Sequence, residues 1–232
     1  MVLDKKRPLI ALPLDDKDLE EKLKQAKEKP IDIIELRIDQ FSSFDISYIK
    51  EKAGLVKKYG FYLLATVRSK EEGGTDIPNS ERFNIFKEII DTADIVDIEL
   101  TSEGINKDVI NLAKENKVLS LVSYHDFEKT PSEEEIQSII DKSASLNPDI
   151  IKYAFVVKSA DDVGRILSTT YKNKDKNLVA IGMGDLGRIT RVAGFFFGSL
   201  ISYTFIGKSF APGQIEIDKL IEEMKFYGLI KE

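Results

Sequence analysis

Eight short apolar runs recur along the chain, at 9–14, 31–38, 61–67, 95–100, 118–124, 150–157, 178–183 and 200–206. They are rich in Ile, Val and Leu and alternate only weakly, as strands do when both faces are covered. Between them, apolar residues return with the helical period, most clearly at 16–29, 46–59, 80–92, 107–116, 133–146 and 161–171. Start signals precede several of these segments: Pro78-Asn79 before Ser80, Thr130-Pro131-Ser132 before three glutamates, and Ser159 three residues ahead of Asp162. Strand and helix in alternation predict a parallel sheet. Eight such units in 232 residues fit an α/β fold of the (β/α)8 TIM-barrel type, near the lower end of its usual size. A doubly wound open sheet of fewer strands is the competing reading. No linker, low-complexity tract or shift in composition divides the sequence, so a single domain over residues 1–232 is expected.

Composition acts mainly by exclusion. The apolar fraction of 42% is enough for a sizeable core. The absence of cysteine removes disulfides, thiolate metal sites and a cysteine nucleophile. A net charge of −6 gives no basic field for nucleic acid. The opening Met-Val-Leu-Asp-Lys-Lys-Arg-Pro is followed by only six apolar residues, too few for a signal peptide. No run approaches the roughly 20 residues of a membrane span. A soluble, cytoplasmic protein is expected.

The chemistry begins with the only histidine. His125 closes the fifth apolar run, and 27 residues later Lys152 stands inside the sixth. A cation within a buried strand is costly unless it is paired or neutralised. A proton shuttle beside a desolvated lysine suggests Schiff-base chemistry on a carbonyl substrate. Burial and nearby cations, with Arg37, Arg68 and Arg191 as candidates, would favour the neutral amine that attack requires.

In a barrel, reactive groups sit at the C-terminal ends of the strands. Glu35, Arg37 and Asp39 close the second run, and their spacing of two puts them on one face. Arg68 ends the third, with Glu72-Gly73-Gly74 just beyond; Asp97 and Glu99 end the fourth. Met183 ends the seventh, Arg191 follows it, and the eighth leads into Ala211-Pro212-Gly213-Gln214. Singly, each has a bland reading. A strand-end Glu or Arg is most often half of a structural ion pair, a lone histidine is usually a satisfied core or surface residue, and a strand lysine can snorkel to an edge. Chance would scatter such residues over both strand ends; here they gather at one.

Gly182-Met-Gly184-Asp-Leu-Gly187 matches the dinucleotide fingerprint. It lies after the seventh run, with too little chain left for the repeats that follow in a dinucleotide-binding domain, and residues 202–207 supply no carboxylate for a ribose. No dinucleotide is expected. An anion is, from free backbone N–H groups at a helix start and from Arg191, which can grip a carboxylate with two donors.

Taken together, Glu-Leu-Arg-Ile-Asp at 35–39, Thr-Val-Arg at 66–68 with Glu-Gly-Gly at 72–74, Ser-Tyr-His-Asp-Phe at 123–127, Ile-Lys-Tyr-Ala at 151–154, Met-Gly with Thr-Arg at 183–191 and Ala-Pro-Gly-Gln at 211–214 resemble the type I 3-dehydroquinate dehydratase family. The motifs run in the same order over nearly the whole chain. The resemblance implies a (β/α)8 barrel, often a homodimer, that needs no metal or cofactor and performs the third step of the shikimate pathway. It implies that Lys152 forms an imine with the ring ketone of 3-dehydroquinate. His125 then removes the neighbouring proton and protonates the departing hydroxyl, giving 3-dehydroshikimate and water. It further implies that Glu72 orients His125, that Arg191 holds the carboxylate, and that Glu35, Arg37, Arg68 and Gln214 bind ring hydroxyls. Met183 should pack on the ring. One position departs from the family: a small hydroxyl residue is common four places before the glutamine, where this chain has Phe210 beside Ser209. Phe210 is expected to exclude water as part of a lid. Asp97 and Glu99 stay outside the assigned set. A class I Schiff-base aldolase and a non-enzymatic binding barrel are the alternatives, and Phe195-Phe196-Phe197 is read as helix-packing core.

Overall fold

The computed structural model describes residues 6–231. Residues 1–5, part of the stretch read above for a signal peptide, and Glu232 lie outside the described residues. Eight strands form where the apolar runs predict them: β1 (Leu9–Leu14), β2 (Ile33–Arg37), β3 (Tyr62–Thr66), β4 (Ile95–Glu99), β5 (Leu119–Asp126), β6 (Ile150–Val156), β7 (Leu178–Met183) and β8 (Ile201–Phe205). A two-residue strand, β9 (Ile215–Glu216), pairs with β8. The helices are α1 (Leu19–Lys27), α2 (Ile46–Lys58), α3 (Asn79–Ile89), α4 (Asn106–Glu115), α5 (Glu133–Ser145), α6 (Ala160–Lys172), the short α7 (Thr190–Ala193) and α8 (Ile217–Phe226).

All pairings are parallel, in the order β7-β6-β5-β4-β3-β2-β1-β8-β9. The two ends of this row meet. Ser199 bridges Leu178 in parallel, and the Leu200 N–H donates to the Leu178 carbonyl at 2.8 Å. The eight long strands thereby close into a barrel, which removes the exposed sheet edges.

Both faces of the strands are buried, which explains the weak alternation in the sequence. Along β6, Ile150 and Ala154 face the interior while Ile151, Tyr153 and Phe155 pack under the helices. Lys152 shares the parity of Ile150 and Ala154, so it points inward. The same parity fills one end of the barrel with Leu9, Ile33, Leu64, Ile95, Leu121, Ile150, Val179 and Ile201. One or two steps further along the strands, the inward positions become Glu35, Thr66, Asp97, Ser123 and Lys152, all buried. The interior is therefore apolar below and polar toward the strand C-termini.

Local signals decide the helix starts. Ser132 with Glu135 and Ser159 with Asp162 form reciprocal capping boxes at α5 and α6. Pro78 precedes α3 without a side-chain cap. After β7 no full helix forms. Two 3₁₀ turns, at 186–189 and 194–197, flank α7. Phe195 packs on the core and Phe197 meets Tyr171 edge-on, but Phe196 is 58% exposed, so only part of the triple phenylalanine is packing core.

The fingerprint-like glycines have a packing cause. A Cβ on Gly187 would stand 2.4 Å from the Gly182 carbonyl carbon, so two backbones touch where no side chain fits. Alanine at 187 is expected to destabilise the fold by about 1–3 kcal/mol through overpacking. Alanine at Gly54, within α2 and with no heavy atom within 4 Å of its added Cβ, is expected to stabilise it by about 0.5–1 kcal/mol. Denaturant midpoints of the two variants check this. A Gly187→Ala protein as stable as the parent would refute the close-approach explanation.

Candidate active site

The polar end of the barrel is built as a row of alternating charges. Arg82 of α3 pairs with Glu99 of β4. Glu99 Oε1 accepts from Arg68 Nη1 at 3.0 Å, and Arg68 Nη2 donates to Asp97 Oδ2 at 2.8 Å. Asp97 Oδ2 also accepts from Lys152 Nζ at 3.2 Å. All five side chains are buried. Unpaired, such charges would each cost several kcal/mol. Here every carboxylate oxygen has a donor. The Ser123 hydroxyl donates to Asp97 Oδ1 at 2.6 Å, the Ser69 N–H to Glu99 Oε1 at 2.9 Å, and the Ser102 hydroxyl to Glu99 Oε2. Burial alone would raise the Asp97 carboxyl, but Arg68 and then Lys152 overcome it and hold Asp97 far below the usual carboxylate range. Glu99 is lowered too, against burial, by Arg68 and Arg82. Burial works against the Arg68 cation as well, yet Asp97 and Glu99 raise it well above its ordinary value.

Lys152 Nζ lies between side chains of β4 and β8, each two strands from β6 around the barrel. Asp97 holds it on one side. On the other, the Tyr203 hydroxyl of β8 is 3.4 Å away and the ring centroid 4.6 Å away.

His125, two residues beyond the register partner of Lys152 on β5, is oriented by Glu72. Its Nδ1 is 2.7 Å from Glu72 Oε2, which also accepts the His125 backbone N–H at 3.2 Å. The Thr101 hydroxyl donates to the other oxygen. With three donors converging on the carboxylate, the arrangement assigns the proton to Nδ1 and leaves the Nε2 lone pair free. Burial pushes Glu72 up to about 7, against the pull of Arg68. Burial, with Arg68 and Lys152 close by, holds His125 well below the ordinary imidazole value. The two groups are in contact, and near pH 7 it is the Glu72 carboxyl that takes up a proton while the His125 imidazole is held neutral. Phe127 stacks on the imidazole, 6.0 Å between ring centres and 10° from parallel.

Arg191 is the one buried cation here whose hydrogen bonds run to carbonyls alone: Gly213 at 2.9 Å, and Tyr203 and Pro212 at 3.5 Å. Among the described residues no carboxylate pairs with it. Burial lowers its pKa to about 10, which still leaves it charged at neutral pH.

The sequence profile described as type I 3-dehydroquinase matches residues 10–231. The chain belongs to the type I 3-dehydroquinase family. Among its relatives, the 3-dehydroquinate dehydratase of Aquifex aeolicus is 41% identical over 222 residues, covering 95% of this chain and all of the relative. That of Methanocaldococcus jannaschii is 39% identical, with the same coverage. The crystal structure of the Aquifex aeolicus 3-dehydroquinate dehydratase superposes with a TM-score of 0.88, at 40% identity over 94% of this chain and 98% of the other. The barrel read from the sequence is thus the fold of this type I family.

All nine candidate residues line one cleft at the strand C-termini: Glu35, Arg37, Arg68, Glu72, His125, Lys152, Met183, Arg191 and Gln214. Phe210 lines it too. Several details differ from the sequence reading. Asp39 does not continue the strand face; β2 gives way to a 3₁₀ turn at 38–40, and Asp39 turns to clamp Arg37 through two hydrogen bonds of 3.0 and 2.8 Å. Arg68 directs its terminal nitrogens at Asp97, Glu99 and Ser123. Gln214 Oε1 accepts the Phe210 N–H at 2.7 Å, shaping the loop below Phe210 and leaving the amide nitrogen unbonded among the described residues. The N–H groups of Gly187 and Arg188 are taken by the Gly184 and Asp185 carbonyls, so anion binding after β7 rests on Arg191. Lys152 has a carboxylate beside it, not cations alone.

Tyr203, Thr101 and Arg82 were missed as site residues, and Asp97 and Glu99 were noted at the strand end but left outside the assigned set. Asp97 and Tyr203 carried a signal, since each occupies an inward parity position on its strand. Arg82 carried none: a charged residue on an amphipathic helix reads as solvated, yet this one is almost wholly buried.

Because the chain has a single histidine, its imidazole nitrogen signals report this site alone. The expected ¹⁵N spectrum at pH 8 is that of the neutral Nδ1–H tautomer, with Nε2 bare. In Glu72→Gln that preference should be lost. An Nε2–H tautomer at pH 8, or an unchanged spectrum in the variant, would contradict the assignment.

Proposed function

We propose that this chain is a carbon–oxygen hydro-lyase that converts 3-dehydroquinate to 3-dehydroshikimate and water through an imine on Lys152, within the shikimate pathway. The observation that carries the reading is the meeting, in one cleft, of a buried amine, an imidazole with a free Nε2 and a buried arginine without a carboxylate partner.

The Lys152 amine adds to the ring ketone, and the oxygen leaves as water with a proton from His125. The resulting iminium draws electrons from the adjacent carbon. His125 Nε2 removes a proton there, forming the enamine, and returns it to the hydroxyl that departs from the next carbon. Water then releases the conjugated ketone and the amine. One molecule of water is lost overall and no electrons are exchanged. Glu72 keeps Nδ1 protonated so that Nε2 serves both transfers. Arg191, with no carboxylate partner among the described residues, holds the substrate carboxylate. Glu35 and Arg37 bind ring hydroxyls, the Gln214 amide donates to another, Met183 supplies an apolar floor, and Arg68 fixes Asp97 beneath the ring. Phe210 covers the entrance.

The aldolase alternative loses ground. A sugar phosphate would bring a dianion into a cleft that holds the Glu35 and Glu72 carboxyls. The relatives that match over the full chain are named dehydratases. We further propose one catalytic domain, working in the cytoplasm as a homodimer and independent of nucleic acid. Supporting this, one closed barrel holds every site residue, and apolar Leu186, Ile189, Phe196 and Phe226 are exposed. No described helix is long and apolar enough to cross a membrane.

Appearance of the conjugated enone by ultraviolet absorbance gives the test. Lys152→Ala should show no turnover, and His125→Ala should lose about 10²–10⁴-fold in kcat. Near-normal activity in either variant would defeat the assigned role.

A further inference from the structure

Tyr203 has no role in the reaction as written above, yet its hydroxyl sits against the nucleophile. The side chain is 4% exposed and lines the cleft. Among the described residues its oxygen has one hydrogen-bond partner, Lys152 Nζ at 3.4 Å. Nitrogen is the donor in that contact. Among the described residues no acceptor faces the phenolic proton. Buried tyrosine hydroxyls ordinarily find one. Burial, with Glu35 and Asp97 nearby, keeps the phenol protonated. Asp97, the other neighbour of the amine, is held ionised by Arg68 and Lys152 and has no proton to give.

Addition of an amine to a ketone needs such a group. Attack forms the C–N bond and moves the C=O electron pair onto oxygen. The nitrogen then carries one proton too many and the oxygen one too few. Both atoms are bonded to the same carbon, so a single hydroxyl can bridge them. We propose that Tyr203 is a catalytic residue of imine formation, passing its proton to the nascent alkoxide while its oxygen takes one from the nitrogen. The product is the neutral carbinolamine, and the phenol is regenerated. Run backwards, the same transfer serves release of the product. The proposal rests on the imine reading given above.

The test is Tyr203→Phe, which keeps the ring packed beside Lys152 and removes only the oxygen. Protein and 3-dehydroquinate are mixed, quenched with borohydride at increasing times, and the Lys152 adduct is followed by intact mass. The expected result is imine formation slowed by about 10²-fold, in the range of a lost general acid–base group. The elimination half should be spared. The isotope effect on kcat from deuterium at the abstracted position should therefore fall toward unity, because addition now limits turnover. A merely structural loss would slow both halves and leave that isotope effect unchanged. Should Tyr203→Phe not fold, a fluorotyrosine at 203, with a more acidic hydroxyl, must change the rate of adduct formation. A silent substitution overturns the relay. Parent protein that traps no adduct defeats the imine reading itself. Parent and variant that trap equally fast defeat only the relay.

Discussion

Three cations and two carboxylates buried in one line, Arg82–Glu99–Arg68–Asp97–Lys152, are the constraint on which this site depends. Removing one member of a buried pair commonly costs about 3–5 kcal/mol, against a total stability on the order of 5–15 kcal/mol. The row is therefore close to indivisible. Replacing it by apolar residues would often be no less stable, so stability does not account for it. What the row supplies is position. It ties the end of β3 to β4 and β6, and it ends on the nitrogen that the proposed reaction brings to a carbonyl carbon.

The same row sorts acids from bases. Asp97 and Glu99 are kept ionised by the cations between them, so neither is available as a proton donor. Glu72 lies off the row, and burial outweighs the pull of Arg68, leaving it near 7. In contact with His125, it places a group that titrates near neutrality beside the imidazole. Carboxyls at one end of the barrel thus take different parts because their surroundings differ. Arg191 extends the logic. Among the described residues no carboxylate pairs with it, which is what the proposed grip on a substrate carboxylate requires.

Much of this was legible in the sequence. The strand runs matched because each is a short apolar stretch bounded by polar helix starts, and period-two spacing turns a strand assignment directly into a list of inward residues. Lys152 and His125 were conspicuous as polar residues where apolar ones belong. The misses have physical causes. Asp39 was assigned to the strand face because spacing cannot foretell a 3₁₀ turn. Arg82 was invisible because its partners, Glu99 and Ser102, are brought to it only when α3 packs over the neighbouring strands β3 and β4. Tyr203 looked like one more aromatic in an apolar strand, and its meaning depends on the amine arriving from β6, across the interior. The segment after β7 folds as two 3₁₀ turns around a four-residue helix, with the backbones of Gly182 and Gly187 in contact, and apolar periodicity foretells neither.

The most direct measurement is a crystal structure of the protein reduced with borohydride in the presence of 3-dehydroquinate. The structure should show one new C–N bond at Lys152 Nζ, the ligand carboxylate on Arg191, and His125 Nε2 facing the carbon beside the bonded one. A reduced bond at any other of the lysines, or a carboxylate held away from Arg191, would contradict it.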